Sequence, residues 1–229
     1  MTSILMFLAS IETSIWAESK GKSPERTRNE TGKEKSETQN LITNENVFEN
    51  IAAGVKFEKL SGWNYSSIQT WQDRKLDVTI QDKELEKLIR ERASVPIFIA
   101  LKYKEPSDKM NPALQLLVRP IGGFAGMSPV EIMNQNMKTM KTLMKEFKIV
   151  KEPASVQIGG LAAATASFSM RVDFPSAEKP SFPVSKTWFV PSGKMIYIIG
   201  ASGILPEDSE TEKEVDGMVQ TFVFAKKTN

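Results

Sequence analysis

The stretch that decides the fold is SPVEIMNQNMKTMKTLMKEF, residues 128–147. Ser128 and Glu131 have the spacing of a capping box, and proline occupies the first helical position between them. Apolar residues then recur at spacings of three and four, namely Val130, Met133, Met137, Met140, Met144 and Phe147. One apolar stripe over about five turns predicts a helix that covers a β-sheet with a single face.

The segments around this helix show the two-residue alternation typical of strands. After it, the sequence predicts a strand at 150–158, a turn at Gly159-Gly160, a strand at 162–172, and a hairpin of 185–190 with 195–201 that turns at Pro191-Ser192-Gly193. Before it, the sequence predicts short strands at 54–57 and 65–68, a helix at 82–93, and a hairpin of 97–103 with 114–118. Glu207 and Asp208 head a last helix that carries Val215, Met218, Val219 and Phe222. This order predicts an α+β domain in which helices flank an antiparallel sheet.

Several short motifs resemble the PsbP/DcrB-like family, the Mog/PsbP-like α/β/α sandwich that also occurs in Ran-binding nuclear proteins. The residues that carry the resemblance are Gly54-Val55-Lys56-Phe57 with Gly62-Trp63, Ser128-Pro129, Gly159-Gly160-Leu161-Ala162-Ala163, Trp188, Tyr197 and Phe222-Val223-Phe224. The resemblance covers about residues 46–224. It implies an exported binding or assembly module of the bacterial envelope or thylakoid lumen. Photosystem-associated members are linked to metal or calcium retention, but a histidine-based site cannot transfer because this chain has no histidine.

The chain divides into three parts by composition. Residues 1–17 contain the apolar run Ile4 to Ala9 and end on Ala17, as in a secretory signal, although no basic residue precedes the run and Glu12 interrupts the segment. The run is shorter than the roughly 20 residues of a membrane span. Residues 18–45 predict a disordered charged linker, and 46–226 the folded domain. We expect export to the periplasm or outside the cell, with the cytoplasm as the alternative.

The composition excludes much chemistry. The 229 residues include no histidine and no cysteine, so triads with a histidine base, thiol nucleophiles and thiolate metal sites are excluded. A net charge of +2, with basic and acidic residues interleaved, does not favour a nucleic-acid partner. Ser176 and Lys179 match Ser-x-x-Lys but lack its companion motifs. We therefore expect no catalytic residue, cofactor or metal ligand.

Two places remain as candidate partner contacts. Trp71 and Arg74 lie together in an irregular stretch, where an exposed tryptophan beside an arginine suits a binding hot spot. The alternative is a tryptophan that packs over a sheet edge. Phe124 and Met127 lie in the glycine-rich loop 122–127, where they suit an apolar tip for a partner. A plain strand-to-helix connection is the alternative there.

The function that the sequence favours is a non-catalytic, exported binding or assembly protein that contacts a protein partner. A carrier of a lipid or small apolar ligand is the alternative, motivated by the methionine stripe and by Phe124. A hydrolase that uses carboxylates or serine is favoured least, since neither set of residues occurs in a recognisable catalytic pattern.

Overall fold

A computed structural model describes residues 40–67, 95–105, 110–144, 146–171 and 180–225. Their strands are β1 Asn40–Asn44, β2 Val47–Asn50, β3 Val55–Glu58, β4 Asn64–Ser66, β5 Phe98–Leu101, β6 Ala113–Pro120, β7 Lys148–Ile158, β8 Leu161–Ser169, β9 Val184–Ser192, β10 Met195–Ile204 and β11 Val223–Phe224. Their helices are α1 Pro129–Leu143 and α2 Ser209–Gln220, and a 3-10 helix spans Gly122–Phe124. The predicted helix 82–93, the segment 1–17, and the pair Ser176 and Lys179 lie outside the described residues.

The strands form two antiparallel sheets. The large sheet has the order β4-β5-β6-β10-β9-β8-β7, and the small sheet has the order β1-β2-β3-β11. Neighbouring strands in both sheets run antiparallel. The predicted α+β class with an antiparallel sheet is therefore confirmed.

Helix α1 forms where the capping box predicts it. The side chain of Ser128 accepts a hydrogen bond from the Glu131 N–H at 3.3 Å, and the Glu131 carboxylate accepts one from the Ser128 N–H at 2.8 Å. These bonds satisfy donors that the first turn of a helix leaves open. Met133, Met137 and Met140 are buried in one core between α1 and the large sheet. The helix ends at Leu143, before the end of the predicted stripe, and Phe147 instead stacks on Phe168 of β8 at 5.1 Å.

The opposite face of the large sheet is covered by α2 and the small sheet. Their shared core contains an aromatic cluster in which Phe57 stacks on Phe98 at 4.6 Å and contacts Phe222 at 4.7 Å. The molecule thus has three layers, with the large sheet in the middle. Because the central strands are covered on both sides, every residue of β5 is buried, and the simple alternation of an open sheet is lost.

Hydrogen bonds from polar side chains stabilise the turn between β1 and β2 and join the small sheet to the large one. Lys59 follows β3, is 6% exposed, and donates to the Asn46 Oδ1 at 2.9 Å. The hydroxyl of Tyr65 on β4 donates to the Asn46 carbonyl at 3.1 Å. Burial lowers the pKa of Lys59 and raises the pKa of Tyr65 to about 12. The Tyr197 hydroxyl donates to the Ala53 carbonyl at 2.7 Å, so the layers are also connected at the β2–β3 turn.

Among the predicted boundaries that differ from the structure, two are informative. Strand β1 lies inside the predicted linker 18–45, so a strand of the small sheet precedes the predicted domain start at residue 46. Its Ile42 and Thr43 are β-branched residues, which are common in strands. The strand pairs with β2, and composition alone does not detect this pairing. The β9–β10 turn lies at Gly193-Lys194, because Ser192 still pairs with Met195 and Pro191 with Ile196.

Candidate functional site

The structure places two of the four predicted partner contacts. Phe124 ends the 3-10 helix and Met127 follows shortly after, and both side chains are half-buried against the core beneath α1. The sulfur of Met127 accepts a weak hydrogen bond from the Gln135 side chain at 3.8 Å. This packing is also what a strand-to-helix connection would show. Trp71 and Arg74 lie outside the described residues, so their predicted role stays a prediction.

The methionine stripe belongs to the core. Met133, Met137, Met140 and Met144 are at most 6% exposed, and they pack against the large sheet. The stripe is therefore explained by the packing of one face of α1 against the sheet. The stripe therefore adds no support for a lipid carrier.

A different surface combines exposed apolar side chains. Tyr103, Phe182 and Leu205 are 40%, 42% and 39% exposed, respectively. Tyr103 lies just beyond the end of β5, Leu205 directly follows β10, and Phe182 lies just before β9. We call these three residues the apolar sheet end.

The strand register brings the three residues to one end of the large sheet. Ala113, the first residue of β6, pairs with Leu101 of β5 on one side and with Ser202 of β10 on the other. Ile204 of β10 in turn pairs with Val184, the first residue of β9. The connections that carry these three residues therefore leave the large sheet at the same end of its strands.

The backbone of this end is held by Asn111, which is 2% exposed. Its side chain accepts from the Tyr103 N–H at 2.9 Å and donates to the Tyr103 carbonyl at 2.8 Å. Gly203 has a φ of 77°, and a Cβ at this position would lie 3.0 Å from the Asn111 carbonyl oxygen. Tyr103 thus stands on a backbone that is fixed by close packing.

Acidic residues at the start of α2 border the apolar sheet end. Glu207 and Glu210 are exposed, and Asp208 is the N-cap, whose side chain accepts from the Thr211 N–H at 3.0 Å. Hydrogen bonds from the side chain and backbone of Thr211, with the nearby charge of Lys102, lower the pKa of Asp208. The Asp208 carboxylate is therefore held in its charged form.

Lys102 links β5 to the same helix. Its Nζ lies 3.0 Å from the Glu214 carboxylate and donates to the Thr211 hydroxyl. Partial burial acts to lower the pKa of Lys102, but the hydrogen bond and charge of Glu214 outweigh it, and the pKa is raised. The Trp63 indole N–H also donates to Glu214, at 3.3 Å. These contacts hold one side of α2 against the large sheet.

The other flank of α2 is fastened by lysines from β9 and β7. Lys186 lies 2.6 Å from the Asp216 carboxylate, 3.7 Å from that of Glu212, and 5.3 Å from the centre of the Trp188 ring. Lys151 bonds to Glu212, and this bond lowers the pKa of the Glu212 carboxyl. Ion pairs on both flanks make α2 a fixed support for its acidic first turn.

The described residues hold no group of three or more His, Cys, Asp or Glu side chains that could bind a metal ion. No helix in the described ranges has the length and apolar character needed to cross a membrane. The sheet end offers apolar contact area, with acidic side chains after Leu205 and the exposed Lys104 directly after Tyr103.

The sequence does not reveal the apolar sheet end, because its residues are single apolar positions far apart in the chain. One weak signal was present, since Phe182 and Leu205 each precede a proline. The residue before a proline is biased towards extended backbone, which is common where a strand meets a loop. That signal does not show that the side chains come together.

Comparison with known proteins finds likeness in fold alone. No protein-family model and no curated protein matches the chain. Among solved structures, the cyanobacterial PsbP of Synechocystis matches with a TM-score of 0.48 and 8% identity, over 80% of this chain and 95% of that one. The Ran-binding protein Mog1p of Saccharomyces cerevisiae matches at 0.47 and 9%, over 80% and 96%. LpqN of Mycobacterium tuberculosis, involved in cell envelope biogenesis, matches at 0.44 and 11%, over 75% and 83%. These neighbours include the PsbP and Mog1 types that the sequence resembles.

Proposed function

We propose that the chain is a non-enzymatic binding protein that contacts a protein partner through the apolar sheet end. The observation that carries the proposal is the exposure of Tyr103, Phe182 and Leu205 on separate connections at one end of the large sheet. Large apolar side chains, aromatic ones above all, are the usual anchors of a protein interface because they bury much area, and Tyr103 stands on a backbone that Asn111 holds.

The acidic residues beside Leu205 indicate the chemistry of the partner segment that contacts it. Leu205 is followed by Glu207, Asp208 and Glu210, and Asp208 is held in its charged form by its hydrogen bonds. Complementary charge across an interface steers association and excludes wrong partners. The part of the partner that contacts Leu205 should therefore carry an apolar anchor with lysine or arginine beside it.

Site-specific photocrosslinking in the native host tests the proposal. A photoreactive residue at Leu205 should give discrete adducts with a partner protein. The same residue at Val223, which is 57% exposed on β11 of the small sheet, is the matched control and should give none. Met127 is the third position, since the loop after β6 lies at the opposite end of the large sheet. Adducts from Met127 without adducts from Leu205 would place the partner at the contacts predicted from the sequence and overturn the sheet-end proposal.

Affinity measurements with the purified partner complete the test. Leu205→Glu should weaken binding at least tenfold, because it puts a charge where an apolar anchor is buried. Val223→Glu should leave the affinity unchanged, and both variants should unfold at the temperature of the unmodified chain. Equal loss of affinity in the two variants would contradict the proposal.

We also propose that the protein is exported, to the periplasm or outside the cell. The apolar run Ile4 to Ala9 and the small residue Ala17 support this proposal. A compartment-sensitive reporter fused after residue 45 should be active outside the cytoplasm. A reporter that stays in the cytoplasm contradicts export and leaves the partner proposal untouched.

A further inference from the structure

Strand β7 is an outer strand of the large sheet, and among the described residues it pairs with β8 alone. Its two halves differ in chemistry. The first half, residues 148–153, contains Lys148, Lys151, Glu152 and Pro153, together with two irregularities in its register with β8. Charges, proline and bulges are the usual devices that prevent a strand edge from pairing. The second half, residues 154–158, is regular and carries no charge.

The turn after β7 determines which backbone groups point outward. Gly159 and Gly160 have φ values of 56° and 76°, which are those of a two-residue hairpin turn. Ile158 pairs with Leu161 across this turn, and these two residues exchange both backbone hydrogen bonds. Hydrogen-bonded pairs then alternate with non-hydrogen-bonded pairs along the β7–β8 ladder. Val156 and Ala154 therefore bond to β8, whereas Ser155 and Gln157 direct their N–H and C=O groups away from it.

We propose that β7 pairs with β7 of a second copy of this chain, antiparallel, about a two-fold axis at Val156. Ser155 then exchanges both backbone hydrogen bonds with Gln157 of the second copy, and Gln157 does the same with Ser155 of the second copy. The pairing uses every outward N–H and C=O group of residues 154–158. It joins the two large sheets into one continuous sheet.

This register is preferred over its neighbours for a physical reason. A shift by two residues in one direction would require an N–H from Pro153, which has none. A shift in the other direction would require Gly159, which lies in the turn. The two-fold register at Val156 avoids both residues.

The side chains of the segment are complementary to one another in this register. Val156 faces its own copy, and Ala154 faces Ile158, on the side where Val156 and Ile158 contact the core beneath α2. Ser155 faces Gln157 on the opposite side of the sheet. Apolar residues thus meet apolar ones, polar residues meet polar ones, and no like charges are opposed. This self-complementarity favours a second copy over an unrelated strand.

The area of contact sets the strength of association. A strand pair of this length buries much less than the ~1,200–2,000 Å² of a standard stable interface. We therefore expect a reversible dimer that forms only at high protein concentration.

Disulfide trapping of the full-length chain tests the pairing directly, because the chain has no cysteine. Val156→Cys places two thiols in a non-hydrogen-bonded antiparallel pair, whose Cβ separation is close to that of a disulfide. At about 100 µM, which suits a weak association, mild oxidation should give a covalent dimer. Val150→Cys is the matched control, since Val150 lies on the same strand, is 46% exposed, and has no counterpart on the second β7. It should stay monomeric.

Sedimentation velocity over a range of concentrations gives a second measurement that needs no thiol. Ser155→Pro removes an outward N–H but none of the bonds to β8, so it should weaken self-association at least tenfold and leave the unfolding midpoint unchanged. Dimerisation that Ser155→Pro does not affect, or equal trapping through residues 150 and 156, would overturn the proposal. A Val156→Cys chain that stays monomeric under oxidation would overturn it as well.

Discussion

The turn between β7 and β8 allows a sharp prediction about how the layers are held together. Gly159 and Gly160 both have positive φ, at 56° and 76°. They differ in what surrounds them. A Cβ on Gly159 would lie 2.7 Å from the Phe222 carbonyl oxygen and 2.8 Å from the Phe224 ring, whereas a Cβ on Gly160 would meet no atom within 4 Å. Alanine at the two positions therefore separates the cost of the backbone conformation from the cost of the contact.

The expected magnitudes follow from these distances. Alanine in a left-handed conformation costs roughly 1–2 kcal/mol, and Gly160→Ala should lower the free energy of unfolding by about that amount. Gly159→Ala carries the same cost and adds the overpacking of a buried contact, which is typically about 1–3 kcal/mol. Phe222 and Phe224 both belong to the core beneath α2, so the turn cannot move away from them without loosening that core.

Urea unfolding followed by tryptophan fluorescence measures both variants, since Trp63 and Trp188 are buried and report on the core beneath α2. The midpoint for Gly159→Ala should lie clearly below that for Gly160→Ala, with similar slopes. Equal midpoints, or a lower midpoint for Gly160→Ala, would refute the close approach of the turn to Phe222 and Phe224.

Two further predictions concern the helix ends. Ser128→Ala removes the acceptor for the Glu131 N–H and should lower the free energy of unfolding, measured in urea, by about 1 kcal/mol. The control is Thr142→Ala on the exposed side of α1, which should change that free energy by less than about 0.5 kcal/mol. Similar losses in the two variants would contradict the role of Ser128 as a cap. Hydrogen bonds from Thr211 hold the pKa of Asp208 below its ordinary value of 3.8. The stabilisation that this carboxylate contributes is therefore fully present above pH 3.8 and is lost as the pH falls through the pKa of the folded state. Asp208→Asn keeps a capping side chain without the charge, and its unfolding free energy should fall less steeply than that of the unmodified chain between pH 7 and pH 3; parallel curves would contradict the assignment.

Local patterns predicted much of the architecture. The capping box at Ser128 and Glu131, the methionine stripe, and the Gly159-Gly160 turn each depend on residues a few positions apart. Hydrogen bonds and steric limits within one turn act over that distance, so a sequence shows them directly. Such patterns were sufficient to predict helices on an antiparallel sheet.

Strand partners and shared surfaces required the tertiary structure. Strand β1 follows a charged stretch and is recognised by its pairing with β2. The apolar sheet end combines Tyr103, Phe182 and Leu205, which are far apart in the chain and are brought to one end of the large sheet by the registers of β5, β6, β10 and β9.

The residues themselves determined which chemistry is excluded, because a chain without histidine or cysteine lacks those reactive groups in any fold. The sequence also determined the helix cap at Ser128 and the Gly159-Gly160 turn. Among the described residues, only tertiary packing decided which apolar side chains stay exposed and which strand edge lacks a partner strand. Burial and strand pairing depend on neighbours supplied by distant parts of the chain, and no local pattern identifies those neighbours.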